Sequence, residues 1–139
     1  LIYIKPIFTT YMKNFFCFFI LVLLSVQCST DPVGPKLGEE FDLMFGEHVV
    51  VQSQGLFIKF KAVDGDSRCP EGAMCIWAGN AKIVLLVSQE DIALNTYLDP
   101  KLATYSNYTI RLVMLNPYPR LNGPIDPKEY VAMLVVTRN

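Results

Sequence analysis

Most of the residue types able to do chemistry in this chain fall within sixteen positions, Asp66-Ser-Arg-Cys-Pro-Glu-Gly-Ala-Met-Cys-Ile-Trp-Ala-Gly-Asn-Ala81, which hold two cysteines, an arginine, two carboxylates and the single tryptophan. Thiols can act as a redox pair, ligate a metal or form a disulfide. A redox pair favours Cys-x-x-Cys at a helix amino terminus, where the thiolate is stabilised; here five residues separate Cys69 from Cys75 and no helical pattern follows. Zinc needs more free Cys or His than a chain with one histidine supplies. Calcium would use clustered carboxylates, and Asp64, Asp66 and Glu71 offer three, but Arg68 sits among them and competes for the same oxygens. The same three carboxylates are the candidates for two-carboxylate hydrolysis. General acid–base work most often recruits histidine, and His48 lies in Gly-Glu-His-Val-Val-Val, where alternation makes it an ordinary strand residue. These readings lead to the expectation of no catalytic constellation, no metal and no cofactor.

The simplest chemistry left is a local disulfide between Cys69 and Cys75, with Pro70 and Gly72 turning the backbone between them. Closing so short a loop contributes about 2–2.5 kcal/mol in the chain-entropy treatment. A loop fixed in this way loses little entropy on binding. Asp66, Arg68, Met74, Ile76 and Trp77 are therefore the candidate contact residues of a loop spanning 66–80. A plainer role is also open to it, in which Trp77 plugs one end of the fold and Arg68 is held by Asp66 or Asp64.

The segments that must position this loop alternate with period two. In Leu56–Val63 the residues Leu56, Ile58, Phe60 and Ala62 share a face, with Lys59 and Lys61 opposite. Ala81, Ile83, Leu85 and Val87 do the same, although Val84 and Leu86 make the other face apolar too, which places that strand centrally or under the proline-rich loop. Tyr108, Ile110, Leu112 and Met114 form a third stripe, and Tyr130–Arg138 is a β-branched run that closes the chain. Weaker strands are expected at 41–45, 47–51 and 92–98, with turns at Gly46, Gly55, Asp64-Gly-Asp66 and the segment 116–127. About seven short strands and no helical stripe predict an all-β domain over 40–139, a small sandwich or barrel. Among the tyrosines, Tyr105 and Tyr118 fall in expected loops and form a possible stacking pair for sugars or peptides, although tyrosine also favours strands for packing. Asn107 matches a glycosylation sequon, which acts only in a protein that passes through a glycosylating secretory pathway.

The front of the chain reads as an address. Met12 is the expected start, with 1–11 upstream of it. Lys13 then precedes the apolar run Phe15–Leu24, too short for a membrane span of about 20 residues but suited to a signal peptide over 12–27. Cys28 follows. Its lipidation would leave Cys69 and Cys75 as an even pair in an exported protein, although Gln27 stands where lipoprotein signals usually carry Gly or Ala. Residues 28–39, rich in Pro and Gly, read as a tether. From Cys28 onward there are ten basic and thirteen acidic residues, a net charge of −3 without a basic stripe. That balance excludes binding driven by phosphate neutralisation, so no nucleic-acid partner is expected.

The loop, with Leu56–Val63 before it and an apolar strand after, resembles a family of small bacterial lipoproteins and exported proteins. Their shared pattern is Asp-Ser-Arg-Cys-Pro followed about six residues later by Cys-x-Trp-x-Gly, here Asp66–Pro70 and Cys75–Gly79. Leu115–Pro119, Ile125 and Tyr130–Val136 are similar to that family's carboxy-terminal half, so the resemblance covers most of 40–137. It implies a cell-envelope location and carries no activity with it. The expectation is a non-catalytic envelope protein, anchored to the membrane through lipid on Cys28, or else periplasmic or secreted. It would bind or support another envelope component through the loop. An inhibitor of a secreted hydrolase using the same loop, and a purely structural domain, are the alternatives.

Overall fold

The structure, a computed structural model, describes residues 34–52 and 54–139. The expected start at Met12, signal peptide and lipidated Cys28 lie outside the described residues.

Among the described residues, eight antiparallel strands form two four-stranded sheets. β1 (Glu40–Met44), β6 (Leu102–Tyr105), β7 (Tyr108–Asn116) and β8 (Val131–Arg138) make one sheet in the order β1-β8-β7-β6. β2 (His48–Val51), β3 (Leu56–Asp66), β4 (Ala81–Val87) and β5 (Glu90–Asn95) make the other, in sequence order. The apolar stripes of the two sheets meet in one core, where Ile58, Phe60, Ile83 and Leu85 pack in the same cluster as Leu43, Ile110, Leu112 and Leu134. This is a small β-sandwich, one of the two all-β forms that the alternation leaves open. β4, apolar on both faces, lies between β3 and β5.

Three differences from the sequence reading have local causes. β3 does not stop at Val63 but runs through Asp64-Gly-Asp66, because register shifts at Phe60/Ala62 and Val63/Gly65 absorb the extra residues while the ladder continues to Ala81. In β7 a shift between Leu112 and Met114 reverses the stripe, so Leu115 is buried and Met114 is 43% exposed. Residues 102–105, read as loop, form β6 paired with β7. Tyr105 therefore sits half-buried against the core rather than in a loop.

The end of the expected tether is also held. Gly38 N–H donates to Val136 O at 2.8 Å, Gln52 N–H donates to Pro35 O at 2.9 Å, and Leu37 packs against the core.

Candidate functional site

The loop leaves β3 at Asp66 and re-enters the sheet at Ala81. Its first and last residues continue the hairpin without being part of the ladder: Ser67 N–H donates to Asn80 O at 2.8 Å, and Cys69 N–H donates to Ala78 O at 3.0 Å. The Ser67 hydroxyl donates to Asn80 O at 3.0 Å and accepts from Asn80 N–H at 3.2 Å. The two stem strands approach so closely at Gly79 that a Cβ there would lie 1.9 Å from Ser67 O, at a backbone φ of +71°. Glycine is the residue that fits this position. Above the stem, Cys69 and Cys75 are bonded with their Cα atoms 5.9 Å apart, the pairing expected from their count and spacing.

At the base, Arg68 is buried, with its side chain 3% exposed. It is not the reaching side chain that the sequence suggests. Its Nε and Nη2 donate to the two Asp66 carboxylate oxygens at 2.9 and 2.6 Å, a bidentate pair. The Arg68 backbone N–H adds a third bond to Asp66 at 3.1 Å. The guanidinium then crosses to the other sheet, donating through Nη1 to Leu115 O near the end of β7 and through Nη2 to Pro117 O, just beyond it, at 2.7 Å. The Tyr118 ring covers it, 4.6 Å from guanidinium carbon to centroid. Tyr130, just before β8, donates its hydroxyl to Asp66 Oδ2 at 3.0 Å.

Burial by itself would raise the Asp66 carboxyl. The bonds from the Arg68 side chain and backbone, the Arg68 charge and the Tyr130 hydroxyl outweigh it and hold the group below the usual aspartate range. Tyr130 moves the other way, pushed up to about 12 by burial first and then by its bond to the Asp66 carboxylate and that group's charge. Asp66 is thus an ionised, fully engaged anchor, and like Arg68 it does not face outward as a contact. Asp64 pairs with Lys82 at 2.7 Å on the surface, so the three carboxylates of the sequence do not converge. His48 lies exposed on β2, stacked on Phe57 at 5.1 Å.

The tip is the reverse of the base. Met74 and Ile76 are as open as residues in an extended chain, and Trp77 is 56% exposed, so Trp77 does not plug the sandwich. These three are the contact candidates that the fold presents to solvent. Across from them, Glu71 N–H donates to Pro119 O at 3.0 Å, joining the tip to the segment carrying Tyr118 and Leu121, which are 43% and 67% exposed.

Two further elements of the site carried no readable signal. Asn80 Nδ2 donates to Oδ1 of the buried Asn95 at 2.8 Å, and Asn80 Oδ1 accepts from the N–H groups of Tyr97 and Leu98. This clamps the crossover from β5 to β6 onto the loop's exit. The acceptors of Arg68 are main-chain carbonyls 47 and 49 residues away, and carbonyls look alike in any sequence.

Compared with known proteins, the chain matches no family model, no curated protein and no solved structure.

Proposed function

We propose that this protein is an exported, lipid-anchored, non-catalytic domain of a bacterial cell envelope that binds another envelope protein through the tip of the stapled loop. The observation that carries the reading is the contrast within one loop. Its base is fixed by the Asp66–Arg68–Tyr130 network and the disulfide, while Met74, Ile76 and Trp77 stand out from it into solvent. Large apolar side chains exposed together are costly to leave wet. Holding them on a rigid loop removes much of the ordering cost of an interface, and tryptophan is among the residues that most often dominate binding energy. The anchor rests on Cys28 and the charge-poor apolar run before it.

The test is site-specific photo-crosslinking in a bacterial host, with the photoreactive residue at position 76 or at Gln89 in the turn between β4 and β5. A discrete envelope protein captured from 76 and not from 89 supports the reading. Equal labelling at both positions, or none at 76, overturns the tip as the contact. The anchor is tested separately by intact mass, where a chain beginning at lipid-modified Cys28 is expected and an unlipidated chain removes the membrane attachment.

A further inference from the structure

Among the described residues, β3 has one side without a partner over its second half. β2 pairs with Leu56–Lys59, and the turn before β2 serves Phe60, whose N–H donates to Glu47 O at 3.0 Å and whose carbonyl accepts from Gly46 N–H at 2.9 Å. Beyond Phe60 the strand continues to Asp66 against β4 alone. Ser67 turns its N–H to Asn80. The alternation of an antiparallel ladder therefore turns the backbone N–H and C=O of Asp66 away from β4, and across the register shift those of Val63 as well. Both residues line a cleft of about 400 Å³, together with Phe45, Pro119, Pro124, Ile125 and Tyr130. The facing segment does not complete the sheet. Its prolines have no N–H to give, and its one bridge, Arg120 to Gly123, is internal.

We infer that this cleft receives an extended peptide segment of a partner protein, added as a short strand to the free edge of β3 with its apolar side chains against Ile125, Tyr130 and the prolines. The chemistry of the walls selects this occupant. An apolar small molecule or a lipid surface would cover the Val63 and Asp66 backbone groups without bonding them, which costs their desolvation. The one acid facing the cleft, Asp66, is already engaged by Arg68 and Tyr130. An extended backbone supplies donors and acceptors at the spacing of the edge, with side chains for the apolar wall. A second folded copy presents the same edge recessed in its own cleft, so two such edges do not meet. The register shifts on either side of Val63 keep the added strand short.

The experiment titrates the full chain, followed by amide NMR, with a pool of acetylated, amidated octapeptides. These carry Val, Ile or Pro at alternate positions and Thr or Lys between them. N-methylated counterparts, in both alternations, keep the side chains and remove half the backbone donors. The expected result is a saturable downfield shift of the Val63 and Asp66 amides, with at least one N-methylated alternation binding at least about tenfold more weakly. Pro124→Glu, at an exposed rim position, is expected to weaken binding similarly at unchanged Tm, whereas Ile76→Asp at the loop tip leaves it unaltered, which separates this site from the one proposed above. The inference is overturned if no peptide shifts those two amides at millimolar concentration, or if both N-methylated forms bind equally well. It is also overturned if the two amides are already protected in the free protein, by the chain itself in a monomer or by a second copy in a dimer.

Discussion

Removing the Arg68 guanidinium would strand the Asp66 carboxylate in a site where the side chain is 8% exposed, and would leave the carbonyls of Leu115 and Pro117 without their donor. Breaking a buried pair from one side costs about 3–5 kcal/mol, so Arg68→Ala is expected to lower the unfolding free energy by that amount in a denaturant titration. Arg68→Lys should recover little of it, because an ammonium cannot span a carboxylate and two carbonyls as the planar fork does. Alanine at Met74, Ile76 or Trp77 should shift stability by less than about 0.5 kcal/mol, as for surface positions away from such networks. The same network makes stability depend on pH at both ends of the scale. With the Asp66 carboxyl held below its unfolded value of about 3.9, the unfolded chain binds more protons as the solution is acidified. Its stabilisation is therefore present above that value and lost as pH falls through the lower folded one. Tyr130 has the opposite sign: raised to about 12, it makes the folded state the better proton binder, and stability declines as pH rises between about 10 and 12. Asp66→Asn should remove the carboxyl group's part of the loss of stability at acid pH, and Tyr130→Phe the hydroxyl's part of the loss between about 10 and 12.

Strands and loops impose constraints that no single residue carries. The register shift in β7 gives Leu115 the core position that strict alternation assigns to Met114. Leu115→Ala is accordingly expected to cost about 2–5 kcal/mol, while Met114→Lys should fall within about 0.5 kcal/mol; the reverse ranking in thermal or denaturant melts would contradict the shift. In the loop, the stem and the staple are separable. Replacing Cys69 and Cys75 by serine should remove about 2–2.5 kcal/mol and loosen the segment between them, leaving the stem bonds of Ser67 and Cys69 to hold the base. Gly79→Ala attacks the stem directly. The left-handed backbone and the contact with Ser67 O together predict a loss of about 2–4 kcal/mol.

Over the whole molecule, closure depends on pairing the first strand with the last, β1 with β8, across Glu40↔Val135 to Met44↔Val131. Contacts so distant in sequence make folding slow relative to helical domains of this size. The core shared by both sheets makes them one cooperative unit. Amides in β4, β7 and β8 are therefore expected to exchange with solvent only by global unfolding, and those from Glu71 to Trp77 by local opening. Hydrogen exchange would count against this division if tip and sheet amides reported the same opening free energy.

Period-two alternation in Leu56–Phe60, Ala81–Val87 and Tyr130–Val136 was enough to determine an all-β domain, because each such strand buries one face whatever its neighbours are; that it is a sandwich and not a barrel was decided by how the strands pair into two sheets. The Cys69–Cys75 bridge was legible for a similar reason: both partners lie within one short turn-rich segment. The strand ends, β6, and the reversal at Leu115 were not, since bulges trade one ladder position for another at little local cost and leave no mark in composition. Nor could the sequence divide the loop into an inward base and an outward tip. Asp66 and Arg68 look like surface residues in a polar turn, and they become an anchor only when the other sheet brings the carbonyls of Leu115 and Pro117 and the ring of Tyr118 over them. Local pattern sets which residues bury a face; the meeting of distant segments decides which charges find partners, and so which side chains are left to reach outward.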